Sequence, residues 1–177
     1  MLDRTVVLVG MMGSGKTAIG RALAARLNVQ FLDSDAALEE AAACSIAEIF
    51  ERDGEAFFRD REAEVIHRLI TGPACILSTG GGAFLADNTR ETIEKSAISV
   101  WLDVDIETLW SRVKNKDTRP LLKTSNPRAT LEELFAKRVP VYQQAAVQVP
   151  VDPDASIEET TDRVLAYLAK FTETKDD

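Results

Sequence analysis

One histidine and two cysteines in 177 residues leave little from which to build a metal centre or a disulfide frame. Cys44 and Cys75 do not form a C-x-x-C pair, and neither has a second metal-type ligand nearby. A zinc site would have to be assembled almost entirely from carboxylates. His67 lies in a helical stretch among Val65, Ile66 and Leu69 and reads as a surface or partly packed residue. Positive charge is scarce too. With 21 Lys and Arg against 29 Asp and Glu the chain carries a net charge of −8, which disfavours a nucleic-acid backbone as partner, because duplex binding needs a positive surface to displace counterions. Basic residues that matter must be gathered locally. No 18 apolar residues run together, and the N-terminus has no cationic segment followed by a long apolar one. The expectation is a cytoplasmic protein with no membrane and no nucleic acid among its partners.

An apolar fraction of 45% with 28% charged residues is ordinary globular composition. The length suits one well-buried core. A single domain over 1–172 is expected, with 173–177 as a frayed tail.

The chain is organised around Gly10-Met11-Met12-Gly13-Ser14-Gly15-Lys16-Thr17, which follows the apolar run Val6 to Val9 and opens a helical segment. This is the G-x-x-x-x-G-K-[ST] pattern of a P-loop. Glycines let the backbone curl until successive N–H groups meet phosphate oxygens, Lys16 adds a positive charge for the β- and γ-phosphates, and the Thr17 hydroxyl can take a place on Mg²⁺. The N-terminus of the helix beginning at Lys16 favours the same anion. A chance Gly-rich turn would satisfy neither the fixed Lys and Thr nor the strand-to-helix context.

Strand-like and helical stretches then alternate. Strands are expected at 4–9, 29–32, 74–78, 98–102 and 147–149. Helices are expected at about 16–27, 36–43, 45–54, 55–70, 88–95, 105–114, 131–144 and 156–171. Apolar strands alternating with helices argue for a parallel sheet covered on both faces. Lys114 to Pro127 is polar and proline-bounded, yet carries the apolar Arg119-Pro120-Leu121-Leu122 element; it reads as a lid over nucleotide rather than a plain connection.

Ligands of such sheets bind beyond the carboxyl ends of the strands. The P-loop, Asp33-Ser34-Asp35 and Gly80-Gly81-Gly82 all follow strands and so share one rim. Phosphate donors, two carboxylates and bare backbone together suit phosphoryl transfer to a small polar acceptor, with one aspartate near the metal and the other accepting a proton from an attacking hydroxyl. Helix capping would explain Asp33 but leaves Asp35 over. Arg59 either bridges Glu55 or Glu62 on a helix surface or reads a carboxylate; Arg138 either pairs with Glu132 or Glu133 or does the same.

In order and spacing, the P-loop, Asp33-Ser34-Asp35, Phe58-Arg59 with Glu62, Gly80-Gly81-Gly82-Ala83, Arg119-Pro120-Leu121-Leu122, and Arg138 with Pro140 and Tyr142 resemble the shikimate kinases. The likeness spans about 6–146. It implies a three-layer α/β/α P-loop kinase fold whose five-stranded parallel sheet runs 2-3-1-4-5, an order that the alternation of elements does not show. It also implies ATP-dependent phosphorylation of the 3-hydroxyl of shikimate, a step of chorismate and aromatic amino-acid biosynthesis. By resemblance, nucleotide falls to Gly13, Ser14, Gly15, Lys16, Thr17, Ala18, Arg112 and the lid's Arg119, with Arg112 stacking on adenine. Shikimate falls to Asp35, Arg59, Gly80, Gly81, Gly82 and Arg138, on helices within about 33–62 and beyond, its carboxylate between the two arginines. Thr17 binds Mg²⁺ directly and Asp33 through water, and Lys16, Asp35 and Arg119 carry the chemistry. Family members often add a basic residue after the last strand, where this chain reads Val151-Asp152-Pro153-Asp154. A monomer is expected. The rival readings are another small-molecule P-loop kinase, such as a gluconate kinase, and an ATP-binding module without turnover.

Overall fold

The computed structural model describes residues 2–116 and 120–174. Its five parallel strands are β1 (Thr5–Val9), β2 (Phe31–Asp33), β3 (Ile76–Ser78), β4 (Ala97–Asp103) and β5 (Val147–Pro150), ordered β2-β3-β1-β4-β5. Every residue of β1 is buried, as expected of a central strand covered on both faces. Its side chains alternate between two cores. Val6 and Leu8 join Ile76, Ile98 and Val100 under α1 (Lys16–Leu27) and α7 (Ile157–Glu173), through Ile19, Leu23 and Val164. Val7 and Val9 join Leu77 and Trp101 on the other face, against residues of α3 (Ile46–Ile70), α4 (Asp87–Ser96), α5 (Ile106–Val113) and α6 (Pro127–Tyr142). This is the three-layer arrangement that the resemblance implied.

Local chemistry sets the ends of these elements. Asp33 caps α2 (Ser34–Ala42), its Oδ1 accepting from the N–H groups of Asp35 at 2.9 Å and Ala36 at 3.1 Å. Ser45 and Glu48 form a reciprocal capping box at the start of α3. Gly54, at φ 83° and ψ 175°, breaks α3 internally; the left-handed φ is one that glycine adopts without penalty. The expected division into 45–54 and 55–70 is therefore present in the backbone, as two helical stretches that meet at a kink on Gly54. Leu38, Ile49, Phe58 and Val65 pack into a small third core that fastens α2 to α3.

One expectation is corrected between the lid and Arg138. The helix begins at Pro127, four residues before the expected Leu131, with Asn126 as its cap accepting from the Ala129 N–H at 3.2 Å. Proline suits this first helical position because its missing N–H would be unpaired there anyway. Within the expected lid, Pro120–Leu122 forms a 3-10 turn and Leu122 is buried in the core. Asp117, Thr118 and Arg119 lie outside the described residues. At the other end α7 runs to Glu173, and of the expected tail 175–177 lie outside the described residues. Among the described residues no helix is long and apolar enough to cross a membrane.

Candidate active site

The adjacent strands β2, β3 and β1 end at one level, since Asp33 pairs with Ser78 and Ser78 with Leu8. Their following loops open on a common cleft of about 490 Å³. The P-loop forms its floor. Gly10, Gly13 and Gly15 all have positive φ, at 145°, 79° and 96°, and a Cβ on Gly13 would meet Val113 Cγ1 at 2.8 Å, so the loop needs glycine for its turn and for its contact with α5. Lys16 Nζ donates to the carbonyls of Gly10 at 2.8 Å and Met11 at 3.0 Å. Thr17 and Ala18 are exposed at the helix start and line the cleft with Ser14. Arg112 reaches in from α5, its Nη1 donating to the Gly13 carbonyl at 3.0 Å. Val151 and Ala155 supply the wall after β5. Lys116 is a cleft residue that sequence reasoning did not single out.

Asp33 and Asp35 line the same cleft. Burial raises the Asp35 pKa above the ordinary carboxylate range and the Asp33 charge adds to this, while Lys16 and Arg59 pull it down. Thr79 ties the start of the glycine run to β1, its Oγ1 donating to the Leu8 carbonyl at 3.0 Å.

The three glycines each abut one predicted acceptor residue. A Cβ on Gly80 would meet Asp35 Oδ1 at 3.0 Å, one on Gly81 would meet Arg138 Nη1 at 2.8 Å, and one on Gly82 would meet Arg59 Cζ at 2.8 Å. None of the three has a left-handed φ. Close approach rather than turn geometry therefore requires glycine here.

The two arginines differ. Arg59 donates to Glu62 Oε1 at 2.7 Å and approaches Glu55 at 3.8 Å, so the ion-pair reading is half right. Glu62, however, is only 3% exposed, and burial raises its pKa against the pull of Arg59. Arg138 is 6% exposed, and among the described residues it makes no ion pair. Glu132, its expected rival partner, binds Arg128 instead, at 2.7 Å. A buried guanidinium without a carboxylate is costly unless an anion completes it.

A family model for shikimate kinase matches residues 12–169. The chain belongs to the shikimate kinase family. It is 62% identical over 168 residues to a shikimate kinase of Ruegeria pomeroyi, covering 95% of this chain and 86% of that relative. A shikimate kinase from Acinetobacter baumannii, solved in complex with shikimate, superposes with a TM-score of 0.87 at 34% identity over 94% of this chain and 93% of that one. A gluconokinase from Sinorhizobium meliloti shares the fold alone, with a TM-score of 0.64 at 18% identity over 98% and 95% of the two chains. The family is one of kinases, which removes the module without turnover from the rival readings. Two further residues that carried the resemblance find their contacts in the fold. Glu62 is the buried partner of Arg59, and Tyr142, fully buried, donates to the Gly81 carbonyl at 2.5 Å. The sequence marked both through the resemblance and Glu62 also as a candidate partner of Arg59; the burial of both and the Tyr142 bond to Gly81 are what the fold adds.

Proposed function

We propose that this chain transfers the γ-phosphoryl group of ATP to the 3-hydroxyl of shikimate, and that it does so with the residues gathered at this cleft. The observation that carries the reading is the pair of arginines pressed against the glycine run beside the P-loop, one of them buried and without an ion pair among the described residues. A planar carboxylate is the anion that such forks recognise best in a small acceptor. With the carboxylate between Arg59 and Arg138, the ring faces Asp35 and the backbone of Gly80, Gly81 and Gly82. Asp35 accepts a hydrogen bond, and then the proton, from the attacking hydroxyl; burial and the Asp33 charge raise its pKa, which makes it a better acceptor than an ordinary carboxylate.

At the nucleotide end, the loop from Gly13 to Gly15, with Ala18 following Thr17, cradles the phosphates. Lys16 exchanges its loop carbonyls for phosphate oxygens, and Arg112 lies where the adenine ring enters. Val151 and Ala155 are apolar or small, so this wall packs against the nucleotide without charge. The expected lid, 114–127, brings Arg119 to the transferring group. Phosphoryl transfer asks mainly for positioning and charge neutralisation, and these are what the residues offer.

Mg²⁺ fits the donors present. Among the described residues no cluster of three or more His, Cys, Asp or Glu could cage a metal, and Mg²⁺ is usually held by phosphates, waters and one or two protein oxygens. Thr17 Oγ would bind it directly. Asp33 caps α2 through Oδ1, leaving Oδ2 to hold a metal-bound water. The ion would neutralise charge on the β- and γ-phosphates. ADP release measured with shikimate, with gluconate and without acceptor tests the reading: turnover with shikimate alone is expected, and preference for gluconate or acceptor-independent turnover would overturn it.

A further inference from the structure

Tyr142 follows Arg138 by one helical turn, so both project from the same face of α6. Its ring is fully buried, with the Trp101 ring centroid 6.3 Å away. Packing alone would be served by phenylalanine. The hydroxyl is what needs explaining. It donates to the Gly81 carbonyl at 2.5 Å, the short end of the range for O–H···O bonds. The Arg138 guanidinium lies near enough to donate to the same oxygen. Guanidinium can only donate, so the phenol must accept on that side and point its hydrogen at Gly81. Arg138, Tyr142 and Gly81 therefore meet at one point: a Cβ on Gly81 would lie 2.8 Å from Arg138 Nη1 and 3.6 Å from the Tyr142 hydroxyl.

We propose that Tyr142 is a positioning residue for the acceptor carboxylate: its hydroxyl holds the Arg138 guanidinium and the Gly81 peptide in a fixed mutual geometry. Two further observations support this. Peptide bonds in the described structure are all trans, so anchoring the Gly81 carbonyl turns the Gly82 N–H the opposite way, and no described residue accepts from it. Burial also pushes the Tyr142 phenol above its ordinary pKa, although Arg138 and Arg59 oppose this, and it therefore keeps the proton it donates. Arg59 has Glu62 to orient it. Among the described residues Arg138 makes no ion pair, although the Glu62 charge acts on it from a distance, and Tyr142 orients it without neutralising the charge that the substrate needs.

The inference rests on the shikimate reading, which wild-type turnover tests separately. In Tyr142→Phe the shikimate KM should rise about tenfold, the loss typical of a hydrogen bond to a charged group, while the ATP KM stays within about twofold and kcat within about threefold. In an Arg138→Lys background the same change should add less than about twofold, because the two side chains act as one unit. An unchanged shikimate KM, an equal rise for both substrates, or full additivity in the double variant would overturn the proposal. A wild-type measurement guards against a variant that folds poorly. With tyrosine labelled at ¹³Cζ the chain has two signals, from Tyr142 and the part-exposed Tyr167. The Tyr142 signal should shift on adding shikimate without nucleotide; a signal that does not respond would also contradict the coupling.

Discussion

Gly81→Ala adds a single methyl group at the centre of the site. Gly81 has no left-handed φ, so alanine brings no backbone strain and trims the entropy of the unfolded chain by roughly 0.4–1 kcal/mol. The new Cβ would lie 3.6 Å from the Tyr142 hydroxyl and 3.7 Å from the Gly10 carbonyl, both ordinary contacts, but 2.8 Å from Arg138 Nη1. Only the guanidinium has to move, by at least about 0.6 Å to reach the edge of normal contact. Its far end can make that shift, so the fold survives with stability changed by no more than about 1 kcal/mol. The carboxylate fork does not survive it. Losing one charge-assisted bond is worth about 1.5–3 kcal/mol, or roughly 10- to 150-fold in affinity. Calorimetric titration with shikimate in the absence of nucleotide should show a loss in that range, with ADP binding unchanged. Gly72→Ala is the control, since its nearest contact would be 3.5 Å and it lies away from the cleft. Wild-type shikimate affinity in Gly81→Ala, or a loss confined to melting temperature, would refute the idea that glycine is needed there to admit Arg138.

Other perturbations probe separate parts. Asp35 has a raised pKa, so turnover should fall on an acid limb displaced above the ordinary carboxylate range, and Asp35→Asn should lose most activity together with that limb; an unchanged profile would remove Asp35 from the chemistry. Burial likewise raises the Glu62 pKa above its ordinary value of 4.5. Its stabilising contribution is thus full below that value and lost as pH rises through the folded pKa, so the melting temperature of Glu62→Gln should gain on wild type from pH 4 to 7, while its shikimate KM rises several-fold as Arg59 loses its partner. A constant gap between the two melting curves would contradict the shift. Arg119→Ala should lose at least about a hundredfold in kcat, as arginines of phosphoryl transfer commonly do, with shikimate binding within a few-fold; normal turnover would reduce the segment to a plain connection.

How far these features could be read from sequence depends on the range of the interactions behind them. The P-loop, the Asp33 cap and the Ser45 capping box are local patterns, each set by residues within a few positions. The glycine run announced a close approach, but not that each glycine admits a different side chain. Tyr142 meets Gly81 across 61 residues, and Arg138 proves buried, with no ion pair among the described residues, only once the segment after β3 is packed against α6. Pro127 reads as loop punctuation in sequence, because a proline that opens a helix and one that bounds a loop look alike until Asn126 is seen to cap. The order of the strands came from resemblance, since crossover connections of similar length permit several parallel orders.

The central claim is that Arg59 and Arg138 hold an acceptor carboxylate while Asp35 faces its hydroxyl. A crystal structure of the protein with shikimate and ADP tests this most directly. The carboxylate is expected within hydrogen-bond distance of both guanidinium groups, with the 3-hydroxyl against Asp35. Shikimate bound with its carboxylate turned away from Arg138, or held elsewhere on the molecule, would contradict it.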